Sequence, residues 1–308
     1  MFEETIIYSV GSLNIYRYGI FIAIGALAAL IVFAMLCRSR SLPGDVPLLW
    51  GVLAVPMGLI CSRLLFCIFD FRFHGMVSLR SILSFWGGGL SMMGALLGMV
   101  LAACLTARIM RVFQRKILDT LTPALFVFIF FARLGEGSTE LLGRSRSMTF
   151  DANNFLFFND GYSTYLNTYI LEAFCAAILF VVILFILWRE RRPGDVLLTG
   201  MLLFGCTQVL WESLRFDSHM RFSFISMQMG IAALLFAVPL VIFAARCGRK
   251  AVIAAVIVIA LVVGGVVGIE LMIDRTDVSN VLLYAAYVIL LSVPAALGFY
   301  WKKRSLRP

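Results

Sequence analysis

Residues 130 to 144, FFARLGEGSTELLGR, close an apolar run with Arg133, Glu136, Glu140 and Arg144 set among Gly135, Gly137 and Gly143. Other apolar stretches hold Arg63, Glu172 and Glu212, and Tyr18, Arg215 and Gln228 stand near the ends of such stretches. A guanidinium keeps its charge at any physiological pH and presents a planar fork of donors that grips an oxyanion at two points. Arginines inside a greasy chain therefore suit a phosphate, with glutamates neutralising and orienting them when no ligand is bound. A second candidate is WGGGLSMMGALLG, residues 86 to 98. Its glycines, Gly88 and Gly89 among them, stand at a helix start, where free N–H groups meet an anion. Gly94 and Gly98 have the GxxxG spacing of close helix packing, and the two readings can coexist. The seven cysteines (37, 61, 67, 104, 175, 206, 247) show no CxxC pair and no metal-ligand spacing. They read as small buried hydrophobes, and neither a metal nor a cofactor is called for. The two histidines, His74 and His219, fall in loops and receive no role.

The rest of the chain must place these groups. It has 308 residues, 62% of them hydrophobic and 14% charged, with a mean hydropathy of +0.98. A soluble domain carries about a quarter charged residues. Nine apolar segments recur near the roughly twenty residues that cross a bilayer, at about 16–37, 46–69, 87–107, 117–134, 165–188, 196–214, 223–245, 251–271 and 281–300. The expected fold is an all-α polytopic membrane protein. MFEETIIYSV lacks a basic n-region and does not read as a cleaved signal peptide.

The net charge of +9 is explained by its distribution rather than by nucleic acid, which is not an expected partner. One set of loops holds sixteen of the 26 Lys and Arg, including all four lysines: Lys116, Lys250, Lys302 and Lys303. The positive-inside rule puts these loops in the cytoplasm, with the N-terminus outside, the C-terminus inside and the long loop 135–164 external.

Counting helical rise from each cytoplasmic end places Arg133 about 26 Å up a hydrocarbon core about 30 Å thick. The same count brings Tyr18, Arg63, Ser91, Glu172, Glu212 and Gln228 to nearly that height. Charges in hydrocarbon face a bundle interior or a wet cavity and pair with one another. Helix ends are polar anyway, which accounts for Tyr18, Arg215 and Gln228, but it accounts poorly for Arg63, Arg133, Glu172 and Glu212. A shared cavity at the outer leaflet is expected.

Over residues 11–245 the chain resembles the bacterial prolipoprotein diacylglyceryl transferases. The resemblance rests on Tyr18-Gly19, Ser62-Arg63-Leu64, Gly88-Gly89-Leu90-Ser91 with Gly94, and Asp119 with Pro123. It continues through Arg133, Gly135, Glu140, Gly143 and Arg144, and then Glu172, Gly205, Glu212, Arg215 and Gln228. It implies a multi-pass protein of the bacterial plasma membrane that moves the diacylglyceryl group of phosphatidylglycerol onto the lipobox cysteine of a lipoprotein precursor. A thioether forms and glycerol phosphate leaves. The partners it implies are phosphatidylglycerol or another anionic phospholipid, the precursor peptide and the membrane itself. Arg133 would support the departing phosphate, with Glu140 and Arg144 beside it as catalytic candidates. Tyr18, Arg63, Gly88, Gly89, Gly135, Gly143, Glu172, Glu212, Arg215 and Gln228 would bind substrate. Residues 1–250 would form the transferase-like core, and 251–308 two helices beyond the family's usual seven with a basic tail.

Several positions depart from the family pattern. Its histidine is Met93 here, its first signature asparagine is Glu136, one residue is missing before Glu140, its tyrosine is Phe204 and a following arginine is Gln208. Three functions stay open. A transferase is favoured by the Arg/Glu constellation, with Glu136 or Glu140 as base in place of histidine. A non-catalytic binder of anionic phospholipid or lipoprotein precursors is favoured by the departures. A transporter ranks third, because the polar layer lies at one edge rather than at midplane.

Overall fold

The computed structural model describes residues 6–10, 13–69, 89–138, 143–146, 154–190, 192–215, 221–222, 225–275 and 279–306. Among them are nine helices long and apolar enough to cross a membrane. They are α1 (Arg17–Ser39), α2 (Asp45–Phe69), α3 (Met92–Ile109), α4 (Gln114–Glu136), α5 (Thr168–Arg189), α6 (Asp195–Leu214), α7 (Met227–Ala245), α8 (Arg249–Arg275) and α9 (Asn280–Arg304). The protein is a polytopic helical membrane protein, and each expected span corresponds to one helix.

Three helices begin later than their apolar runs. α3 starts at Met92, not near 87, because the Ser91 side chain accepts from the Gly94 N–H and caps it. α5 and α7 start after short antiparallel pairings that the sequence reading did not anticipate: β3 (Phe157–Asn159) with β4 (Thr164–Leu166), and β5 (Arg221–Phe222) with β6 (Ile225–Ser226). A third hairpin, β1 (Ile6–Val10) with β2 (Leu13–Tyr16), precedes α1.

The chain divides into two compact units. The first comprises residues 1–142 and 169–197, the second 143–168 and 198–308. In the first unit, the Phe33 and Trp50 rings meet edge to face at 5.1 Å in a core shared by α1, α2, α3 and α4. Small residues set the α2–α3 distance. A Cβ on Gly94 would lie 2.5 Å from the Cys61 carbonyl oxygen, and one on Gly98 would overlap the backbone at Met57 and Gly58. The packing reading of this GxxxG is thus the one realised. Most residues of α4 are buried, which is why one helix can carry Asp119, Thr120, Thr122 and Arg133. Asp119, itself buried, accepts from the backbone N–H of Gly194 at 2.6 Å and of Leu197 at 3.0 Å.

In the second unit, Leu202, Phe236, Leu240, Phe243, Val262, Tyr287 and Leu291 form the core contributed by α6 to α9. α8 is only 17% buried, as expected for a helix that faces lipid along most of its length.

Candidate functional site

The first cluster is built on the last turn of α4. Arg133 is 2% exposed, and two carboxylates meet it. Glu136, one turn on in the same helix, accepts from Arg133 Nη1 at 2.6 Å. Glu172, in the first turns of α5, lies 2.7 Å from Nε. Burying a charge is tolerable only when it is paired and hydrogen-bonded, and here the α4 and α5 ends do that together. Gly135 is buried beside them because α1 comes close: a Cβ there would lie 2.9 Å from Phe21 Cβ and 3.0 Å from the Tyr18 ring. Tyr18, the second residue of α1, is thereby placed next to the α4 end that carries Arg133.

Arg63, buried near the end of α2, donates through Nη1 to the Gly89 carbonyl at 3.0 Å. Its guanidinium carbon lies 5.7 Å from the Phe66 ring centre. Gly89 has φ +75, in the left-handed region, and a Cβ there would come within 2.5 Å of Phe66 and 2.7 Å of Arg63 Nη1. Only glycine lets the strand of chain before α3 lie on this arginine. The expected amide nest for an anion is thus partly taken, since Ser91 Oγ occupies the Gly94 N–H and the Ser62 carbonyl the Ser91 N–H. Gly88 and Glu140 lie outside the described residues.

The second cluster belongs to the second unit and is built on loops and helix ends. Gly143 has φ +69, and its carbonyl accepts from Thr168 Oγ1 at 2.6 Å. Ser145 exchanges two bonds with Leu166: its N–H donates to the Leu166 carbonyl at 3.0 Å, and its Oγ accepts from the Leu166 N–H at 2.9 Å. Between these two anchors Arg144 lies over the Phe158 ring, 3.5 Å from its centre, and pairs in an isolated bridge with Asn167. Ser145 pairs likewise with Arg215, which is buried just past the end of α6. Glu212, one turn earlier, accepts from Gln208 Nε2 at 3.0 Å and from Ser226 Oγ at 3.2 Å. Gln228 is half-buried in the first turn of α7, two residues after Ser226, which caps that helix.

The structure therefore joins Arg133 with Glu136 and Glu172, Arg63 with Gly89, and Glu212 with Gln208 and Ser226. Met93 and Phe204 are buried apolar side chains. Gln208, where the family pattern carries arginine, keeps a hydrogen bond to Glu212 without the charge. Sequence reasoning did not single out Glu136 as the partner of Arg133, although the i,i+3 spacing was a signal. Nor did it find Phe158 or Ser145, whose contacts depend on a loop without periodicity. Among the described residues, no group of three or more His, Cys, Asp or Glu is arranged to hold a metal ion.

Comparison with known proteins bears on this arrangement. The family model for prolipoprotein diacylglyceryl transferase matches residues 5–245. A phosphatidylglycerol–prolipoprotein diacylglyceryl transferase of Listeria innocua is 24% identical over 250 residues, covering 78% of this chain and 89% of that protein. The protein of the same name from Oceanobacillus iheyensis is 26% identical over 260 residues, covering 81% and 89%. That from Clostridioides difficile is 24% identical over 218 residues, covering 70% and 85%. α8 and α9 lie beyond the matched residues.

Proposed function

The chain belongs to the prolipoprotein diacylglyceryl transferase family, and from that premise we propose that it transfers the diacylglyceryl group of phosphatidylglycerol to the lipobox cysteine thiol of lipoprotein precursors. The reaction takes place at the outer leaflet of the bacterial plasma membrane, with the N-terminus and loop 135–164 outside and Lys116, Arg191 and Lys250 in the cytoplasm. The matched core carries the chemistry, and α8 and α9 are an addition to it.

The observation that carries the reading is the buried Arg133 held between Glu136 and Glu172. Two carboxylates over-compensate this one guanidinium, so an arriving phosphate takes the place of one of them on its fork. Glu136 is the partner that yields, because its side chain is 9% exposed against 2% for Glu172. In the reaction, the cysteine sulfur bonds to the glyceryl carbon while the bond from that carbon to the phosphate oxygen breaks. Arg133 takes the charge growing on the leaving glycerol phosphate. The thiol must lose its proton to become a nucleophile, and Glu136, displaced from Arg133, accepts it in place of the histidine that Met93 replaces. Following the family pattern, Glu140 and Arg144 are further catalytic candidates, and Tyr18, Arg63, Gly88, Gly89, Gly135, Gly143, Glu172, Glu212, Arg215 and Gln228 are candidates for binding substrate.

The test is direct. The purified protein, given phosphatidylglycerol and a lipobox peptide, should release glycerol phosphate and yield a lipidated cysteine. Cysteine labelling from each side of the membrane tests the orientation, and labelling of loop 135–164 from the cytoplasm would overturn it. A second reading is favoured by the buried, apolar Met93 and Phe204 together with Gln208. On that reading the protein holds anionic phospholipid or the precursor without turnover, and binding with no product under any phospholipid would establish it.

A further inference from the structure

The two helices beyond the family match are not plain lipid spans. α8 and α9 bury Glu270 and Lys302, and hydrocarbon makes such residues costly unless they are paired. The buried Tyr287 donates to Glu270 at 3.1 Å, joining α9 to α8. α9 in turn holds α6 along its length. Lys302 Nζ donates to Thr199 Oγ1 at 3.1 Å near the start of α6, and Tyr284 OH donates to the Ser213 carbonyl at 3.4 Å near its end. Between them Gly298 faces Leu202 so closely that a Cβ would overlap the leucine side chain. At the end of α8, Asp274 pairs with Arg146.

The two terminal contacts fall beside the second cluster. Ser213 stands between Glu212 and Arg215, and Arg146 follows Arg144 and Ser145 in the loop that bridges to Arg215. We propose that the α8–α9 hairpin is a positioning clamp for this cluster. Asp274 fixes, through Arg146, the loop that presents Arg144. Tyr284 fixes, through the Ser213 carbonyl, the helix end that presents Glu212 and Arg215. Both are positioning residues, since each acts through a neighbour, Asp274 through Arg146 and Tyr284 through the Ser213 carbonyl. The role of the cluster itself rests on the transferase reading. A forked guanidinium works only within a narrow range of orientation, and a loop needs an external hold to keep it there. An exposed ion pair adds little to stability, so the clamp should register in rate and local order rather than in melting.

The experiment uses the full chain and compares Asp274→Asn and Tyr284→Phe with Asp274→Glu and with the exchanged pair Arg146→Asp/Asp274→Arg. Asp274→Asn should lower kcat about two- to fivefold with KM for phosphatidylglycerol unchanged and Tm unmoved. Hydrogen exchange of the 143–146 amides should rise, and both the glutamate variant and the exchanged pair should restore rate and protection. Unchanged kcat and unchanged exchange in Asp274→Asn would overturn the clamp, as would a rate loss that only tracks a fall in Tm. If the wild type shows no turnover, yet Asp274→Asn still raises exchange at 143–146 and the exchanged pair restores it, the clamp stands and the transferase reading falls.

Discussion

The Arg133 cluster and the Arg144 loop hold the same chemical group in opposite ways. Arg133 projects from a mostly buried helix, and its charge is met by two carboxylates at 2.6 and 2.7 Å. Arg144 lies on a loop, over the face of Phe158, and is itself bridged to Asn167 while its neighbour Ser145 is bridged to Arg215. The first arrangement is electrostatic and costly to assemble, because every member is desolvated. The second rests on the face of an aromatic ring and on the backbone pairing of the loop that carries it. A helix can position a charge alone, whereas a loop must borrow its rigidity from Thr168, Leu166 and Arg215.

The comparison breaks first at Arg133. Arg133→Ala should reduce glycerol phosphate release by at least about a hundredfold, the scale seen when one transition-state donor is lost. Arg133→Lys should fail nearly as far, since an ammonium has no fork. Next come the carboxylates. Glu172→Gln should lower unfolding stability in detergent by about 3 kcal/mol, as expected when a buried pair loses one member. Glu136→Gln should cost roughly 1.5 kcal/mol, the value of one charged hydrogen bond, while nearly abolishing turnover. If Glu136→Gln keeps full activity, it is not the base and the displacement scheme fails. Arg144→Ala comes third: a cation–π contact is worth about 0.5–2 kcal/mol, so activity should drop about fivefold, with little change in unfolding. Equal losses for Arg133→Ala and Arg144→Ala would erase the distinction between the two clusters.

The smallest effect belongs to the β3–β4 turn. Asp160 accepts from the Tyr162 N–H at 2.9 Å and the Ser163 N–H at 2.7 Å, which hold its carboxyl below the usual carboxylate range. Because the folded value is depressed, its contribution to the turn is complete above the unfolded value and is lost only as pH falls through the lower, folded one. The Ser163 amide signal in NMR should therefore stay constant near neutrality and move only in acid, with a midpoint below that of a free aspartate. Asp160→Asn should remove the titration.

The spans were legible because hydropathy and length decide what crosses a bilayer. The pairing of Arg133 with Glu172 was legible as well, because charges within apolar spans turn inward and meet one another. Helix starts were less legible, since hydropathy counts Gly89 and Leu90 as apolar but cannot see Ser91 closing the first turn of α3. Phe157 to Leu166 fell almost wholly in the long loop of the sequence reading and fold as a hairpin, although Asn159-Asp160-Gly161 between aromatic residues was a turn signal. The contact of Arg144 with Phe158 follows from that hairpin and was hidden with it. Gln208 shows the converse: its departure from the family pattern was visible at once, and only the hydrogen bond to Glu212 reveals what the amide still does.

Asp119 sets an order on biogenesis. Its carboxylate, in the second turn of α4, is buried and accepts from amides 75 and 78 positions further along the chain. A ribosome delivering roughly 5–20 residues per second leaves α4 in the membrane for seconds before Gly194 and Leu197 emerge. Through that interval the carboxylate lacks the two N–H donors that hold it in the folded protein, and burying a polar group without partners is costly. The nascent α4 must therefore wait wet or held by the insertion machinery, and the burial of Asp119 becomes final only when residue 197 arrives.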